Sequence, residues 1–103
     1  MDTKQNLQIS VLADDLTSAA DGAAPFVEAG FRATLGRGQL PSRLASVVTV
    51  DSGSRSASVQ DAAAMVAHLT RQLAPRTLLY KTVDSTLRGH VTAELEACFK
   101  ASG

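Results

Sequence analysis

With 103 residues, ten basic and ten acidic side chains and a formal net charge of zero, the chain has room for one small domain and carries no run of either sign. That balance excludes the electrostatic footprint of a nucleic-acid or anionic-membrane binder, and the scattered aromatics Phe26, Phe31, Tyr80 and Phe99 make no stacking platform for bases. Cys98 stands alone, which excludes an intrachain disulfide and a cysteine-based metal site, and a polar start without any stretch of membrane-spanning length points to a soluble, cytoplasmic protein.

Gln8 to Ala13 reads as a first strand, with Ile9, Val11 and Leu12 ahead of an acidic stop at Asp14-Asp15. A helix follows from about Leu16 to Ala29, carried by Leu16, Ala19, Ala20, Ala23 and Val27 at helical spacing. Gly30 suits its end, and Pro25 predicts a kink or a break inside it. Phe31, Ala33 and Leu35 alternate with Arg32 and Thr34 as in a half-exposed strand. Gly36 to Ser42 is a loop, and the continuous apolar run from Ala45 to Val50 predicts a central strand.

Asp51 to Ser58 is a polar loop. The next helix puts Val59, Ala62, Ala63, Val66, Leu69 and Leu73 on one face, with Ser58 and Asp61 placed as an N-cap pair and Pro75 as the stop. Thr77 to Tyr80 predicts the last strand. A final helix is marked by Val91, Leu95 and Phe99, and its Cys98 reads as a small buried hydrophobe. The order β-α-β-β-α-β-α predicts an α/β fold. It is an open, mostly parallel sheet of about four strands with helices packed on it, a Rossmann-like partial domain.

Three polar clusters follow three predicted strands: Asp14-Asp15-Leu16-Thr17-Ser18, Asp51-Ser52-Gly53-Ser54-Arg55-Ser56 and Lys81 to His90. In a parallel sheet all three lie along one edge, the crevice where such folds hold ligands. The combined inventory suits a small polyhydroxy acid. Arg88 or Arg55 can clamp a carboxylate through two parallel bonds, and Asp14, Asp15 and Asp84 can accept from hydroxyls. A carboxylate within reach of a hydroxyl can also take its proton. Lys81 can neutralise a transferred phosphoryl group or pair with an Asp, and Thr86 to Gly89 offer backbone N–H groups to an anion.

Each residue has a plainer role open to it. Asp14 or Asp15 can serve as an N-cap worth about 1 kcal/mol. Asp51-Ser52 can be a turn, Lys81 and Asp84 an ordinary ion pair, Gly89 a site of close packing, His68 a solvated residue and His90 a cap. Two rival motifs fail on detail. Haloacid-dehalogenase-type phosphatases need a nucleophilic Asp where Ala13 stands. Receiver domains match Asp14, Asp15, Asp51 and Lys81, but follow the Lys with Pro rather than Thr82 and need more strand–helix units. Neither a Walker A pattern nor G-x-G-x-x-G occurs.

Ala13-Asp14-Asp15-Leu16-Thr17-Ser18-Ala19, Asp51-Ser52-Gly53-Ser54-Arg55 and Lys81-Thr82-Val83-Asp84-Ser85-Thr86-Leu87-Arg88-Gly89 together resemble the four-carbon acid sugar kinase family, in its N-terminal sugar-binding domain. The family motifs are A-D-D-L-T-G-A, a D-x-x-S-R type loop and K-x-x-D-S-T-L-R-G. The resemblance implies sugar-acid contacts from Asp14, Asp15, Arg55, Asp84 and Arg88, with Lys81 a further candidate and Asp14 or Asp15 as base or hydroxyl-orienting group. It implies ATP and Mg²⁺ for the complete family enzyme, whose nucleotide-binding domain has no counterpart here. No cofactor or metal is expected on this chain. Ser18 departs from the family's Gly, and the resemblance spans about the first half of the family's N-terminal domain.

The expectations that follow are a single partial sugar-acid-binding domain over residues 1–103, without kinase activity by itself. Its partners would be a small sugar-acid substrate, another copy of itself or a complementing chain. A non-catalytic ligand-binding or oligomerising module and a receiver-like phosphoacceptor at Asp51 are the alternatives.

Overall fold

The computed structural model of the protein describes residues 7–84 and 86–103; Ser85 of the third motif and the polar start through Asn6 lie outside the described residues. The elements run β1 (Ile9–Ala13), α1 (Leu16–Glu28), β2 (Ala33–Arg37), β3 (Val47–Asp51), α2 (Val59–Leu73), β4 (Leu78–Lys81) and α3 (Val91–Ala101). All four strands are parallel, in the order β2-β3-β1-β4. The two central strands, β1 and β3, are buried at every position, as their near-continuous apolar runs require.

The sheet has helices on both faces. Ile9 and Val47 pack toward α1 around Ala23, with Phe26 and Phe31 at the margin. Leu12, Val48 and Val50 pack toward the other face against Val66, Leu69 and Leu73 of α2 and Cys98 of α3. Each such side chain fully removed from water contributes about 1.5–3 kcal/mol.

The β2–β3 connection, residues 38–46, is a loop where a parallel pair usually has a helix. Stepping from β2 back toward β4, a right-handed crossover runs over the α2 face. Leu40 of this loop packs on that side of the core. The loop lies so close to β2 that a Cβ on Gly36 would stand 2.1 Å from the Gln39 carbonyl oxygen. Gly36 is therefore the buried position of β2, whereas Leu35, expected to face inward, is 39% exposed. Register places Ala33 and Leu35 opposite Val47 and Thr49, on the α1 side but at the sheet's edge.

Two further expectations change. α1 continues through Pro25 as one helix. Pro25 sits on the exposed side, where water replaces the missing backbone donor and the ring's φ already suits a helix. α3 buries Glu94 and Cys98 rather than the stripe of Val91, Leu95 and Phe99, so Phe99 is 82% exposed. No helix among the described residues is long and apolar enough to cross a membrane.

Candidate functional site

β1, β3 and β4 end side by side, and parallel pairing aims the loops that follow them at one edge. Asp14 and Asp15 come from the first loop, Arg55 from the second, Asp84 and Arg88 from the third. Asp15 also starts α1: its Oδ1 accepts from the Ser18 N–H at 2.9 Å, so the N-cap and the site share one carboxylate. Hydrogen bonds from Ser18, the hydroxyl first and the backbone second, hold the Asp15 carboxyl below its ordinary range, against the opposing effect of desolvation and with help from Arg55.

Arg55 is the hub. Its Nε donates to Asp14 Oδ2 at 3.2 Å and its Nη2 to Asp14 Oδ1 at 2.9 Å, the bidentate arrangement a guanidinium favours. The same Nη2 reaches Asp84 Oδ1 at 3.3 Å, and Nη1 stands 3.0 Å from Asp15 Oδ2. The bond to Asp14 is the main reason the Arg55 pKa is raised. One side chain thus ties all three acidic loops together, and most of its donors face carboxylates within the protein.

Asp84 organises the third loop. Its Oδ2 accepts from the Thr86 N–H (3.0 Å), the Thr86 hydroxyl, the Arg88 N–H (3.2 Å) and Arg88 Nε (3.0 Å). Arg88 Nη2 adds a bond to Oδ1 at 2.9 Å. The Arg88 guanidinium first, then the Thr86 hydroxyl, pull the Asp84 carboxyl far below its ordinary value. This grip holds Leu87 at φ 59°, a left-handed conformation unusual for a bulky residue. Gly89 follows at φ 84°, where a Cβ would stand 2.6 Å from Asp14 Oδ2 and 3.4 Å from Arg55 Cγ. Only glycine closes the loop against the Asp14–Arg55 pair.

Beside these groups lies a cleft of about 680 Å³, lined by Asp15, Thr17, Ser18, Asp21, Gly22, Arg55, Thr82, Val83, Asp84 and Arg88. Asp14 is behind it, 6% exposed, with both oxygens on Arg55. Of the two acids expected to face a substrate hydroxyl, Asp15 therefore lines the cleft and Asp14 props Arg55. Arg88 is the cation offered outward: its side chain is 65% exposed, against 19% for Arg55. A hollow of similar size between α2 and α3 is lined largely by alanines and holds none of the motif residues.

Lys81 does not join the cleft. Its Nζ turns to the other face, 3.1 Å from Glu94 Oε1, and donates to the Thr82 carbonyl at 2.8 Å. Asp51, the candidate phosphoacceptor, is 6% exposed and accepts from the Gly53 N–H in its own turn at 2.7 Å. His90 holds the Ala57 carbonyl through Nε2. Among the described residues, no group of three or more His, Cys, Asp or Glu side chains is disposed to hold a metal ion.

Sequence reasoning missed Asp21 and Glu94 and gave Thr17 no role beyond membership of the first polar cluster. Thr17 lies in the first turn of α1, two residues past the Asp15 cap, and Asp21 about one turn further on, both on the wall that α1 gives the cleft. Glu94 gave one signal: it is an acid beside Cys98 on the face that α3 buries.

The profile of the sugar-binding N-terminal domain family matches residues 9–103. The chain is 39% identical to the D-threonate kinase of Bordetella bronchiseptica over 92% of its own length and 26% of that protein's. It is 36% identical to the D-threonate kinase of Salmonella typhimurium over 93% and 24%. It thus spans about a quarter of the curated relatives it matches. A crystal structure from Bordetella bronchiseptica, described as a domain of unknown function with bound citrate in a domain-swapped dimer, superposes with a TM-score of 0.81 at 39% identity, covering 93% of this chain and 27% of that one. A second crystal form gives 0.79 at the same identity, over 90% and 25%. With three motif loops meeting at Arg55 and this match over almost all of its length, the chain belongs to the family of sugar-binding N-terminal domains of four-carbon acid sugar kinases.

Proposed function

We propose that this chain is the acid-holding part of an ATP-dependent kinase for four-carbon sugar acids, and that its cleft takes D-threonate or a close relative. Arg88 carries this reading: a guanidinium with one edge fixed on Asp84 and the rest open to solvent at the cleft suits bidentate capture of a ligand carboxylate. Thr17, Ser18 and Asp21 line the wall formed by α1 and suit the ligand's hydroxyls. Asp15, with its pKa lowered, is a weak base and a strong acceptor, so its role is to orient the accepting hydroxyl. Citrate in the related crystal structure is likewise a hydroxy acid.

Phosphoryl transfer rests on positioning and charge neutralisation of the transferred group. The sequence carries no nucleotide-binding motif, and the carboxylates of Asp15 and Asp84 are engaged by guanidinium, amide and hydroxyl donors, so these residues do not fit a magnesium ion. This chain alone transfers no phosphate; nucleotide and metal sites come from a separate portion of the complete enzyme or a complementing chain. Calorimetry with D-threonate, D-erythronate and citrate tests the reading. Binding of a four-carbon acid that is lost in Arg88→Met is the expected result, and no binding by the unaltered chain overturns it. Threonate-dependent ADP release by the chain alone would overturn the second part.

A second reading, self-association, is favoured by the β4 side of the molecule. Leu78, Tyr80 and Leu95 are 42–47% exposed there, Phe99 is 82% exposed, and β4 is an edge strand. A strictly monomeric species in sedimentation would remove it.

A further inference from the structure

We infer that Glu94, on α3 and outside all three motifs, is a positioning residue of the sugar-acid site, acting from behind the sheet edge through Ser54 and Lys81. The inference rests on the sugar-acid reading of the cleft. Glu94 is 2% exposed, and its Oε2 accepts from Ser54 Oγ at 2.8 Å. Its Oε1 stands 3.1 Å from Lys81 Nζ as an ion pair, without the alignment of a hydrogen bond. Ser54 Oγ in turn lies 2.6 Å from Ser52 Oγ, which donates to the Ala13 carbonyl at 3.0 Å.

One buried carboxylate therefore holds two of the site-bearing strand ends directly, through Ser54 and Lys81, and stands beside the Ser52 that holds the third. Ala13 precedes Asp14, Ser54 precedes Arg55, and Lys81 opens the segment that leads to Asp84 and Arg88. A carboxylate this deep needs compensation for its lost hydration, and the ammonium and the hydroxyl supply it. The need works in both directions: the loop after β3 and the end of β4 are held where their side chains can reach Glu94. Held so, Ser54 fixes the backbone from which Arg55 extends to Asp14, Asp15 and Asp84. Without that anchor, the loop keeps its backbone bonds from Ser52 to Ala13 and from Arg55 to Asp14 and the His90 contact with Ala57, but loses the side-chain tie next to Arg55.

The test pairs ligand binding with a signal that reports Arg55 directly. The Nε–H of Arg55, donated to Asp14, is followed as a resolved resonance in a ¹H–¹⁵N spectrum, and D-threonate affinity by calorimetry. In Lys81→Met/Glu94→Leu the charges leave together, so the fold is kept. The expected result is loss or broadening of that resonance and affinity at least about tenfold weaker, the scale of one lost hydrogen bond to a charged group. Ser54→Ala removes only the hydroxyl link, and weakening of about three- to tenfold with the same spectral change is expected. If the double variant fails to fold, Ser54→Ala decides alone. An unchanged Arg55 resonance with unchanged affinity in a folded variant overturns the inference. Should the unaltered chain bind no four-carbon acid, the sugar-acid reading fails, while the Arg55 resonance still decides whether Glu94 positions that side chain.

Discussion

The two ends of the sheet are each tied together by an arginine, but with opposite chemistry. At the C-terminal edge Arg55 is held by the carboxylates of Asp14, Asp15 and Asp84. At the N-terminal edge Arg76 is held by neutral oxygens: Ser10 Oγ at 2.9 Å, the Ala45 and Ser46 carbonyls at 2.9 Å and the Ile9 carbonyl at 3.3 Å. The electrostatic outcome divides accordingly. Acidic partners raise the pKa of Arg55, whereas burial lowers that of Arg76. Arg76 closes strand ends using only oxygens the fold already has. Arg55 brings together acids that would repel one another without it, and such an arrangement makes sense where the acids have work to do.

The largest difference should appear on removing the hub. Arg55→Met leaves two nearly buried carboxylates and a half-exposed one without their shared cation, and a loss of about 2–4 kcal/mol in urea denaturation is expected. Threonate affinity should fall by more than about a hundredfold. Arg76→Met is the counterpart. It leaves carbonyls and one hydroxyl unserved, for about 1–3 kcal/mol of stability. Affinity should stay within about twofold of the unaltered chain wherever the variant is folded. If Arg76→Met weakened binding as much as Arg55→Met, the two edges would not differ in kind.

Gly89→Ala tests the space around the acidic edge. Its Cβ would stand 2.6 Å from Asp14 Oδ2 on a left-handed backbone, so a loss of about 1–2 kcal/mol is expected in thermal unfolding. The smallest effect is in acid. The folded state holds Asp84 below its ordinary value of 3.8. Its stabilisation is therefore complete above about that pH and is lost progressively as pH falls further, where the unfolded chain binds the proton more readily. In Arg88→Met the main cause of that depression is gone. The stability difference from the unaltered chain should then be present at neutral pH and shrink steadily as pH falls below 3.8. For Arg76→Met the gap should stay constant over the same window, since its partners do not titrate there.

Much of the fold was legible because it rests on local pattern. β1, α1, β3 and α2 lie within a residue or two of where apolar spacing puts them, and the convergence of the loops follows from parallel strands. Less was legible at the edges. Alternation in β2 showed two faces but not that the 38–46 loop would cover the side bearing Gly36. In α3 the apolar stripe was the wrong guide, because Glu94 had partners in Lys81 and Ser54 that compensated its burial. Of the residues singled out in the sequence, Asp15, Arg55, Asp84 and Arg88 line the cleft while Asp14 and Lys81 do not, and no local pattern announced that division of labour. Which of two arginines spends its hydrogen bonds internally depends on contacts across dozens of residues, and no local spacing encodes them.

The cleft draws on both the first strand turn and the last, since Asp15 and Arg88 face it from opposite ends of the folded sequence. No single hairpin or strand–helix unit contains a working fraction of it. A ligand seated there reports on the completeness of the whole sheet, so any partly folded form that has not yet docked β4 is blind to it. Ligand at a hundred times its dissociation constant would add about 2.7 kcal/mol to the intact domain and nothing to such intermediates, so any small molecule that fills this cleft would select for the finished fold.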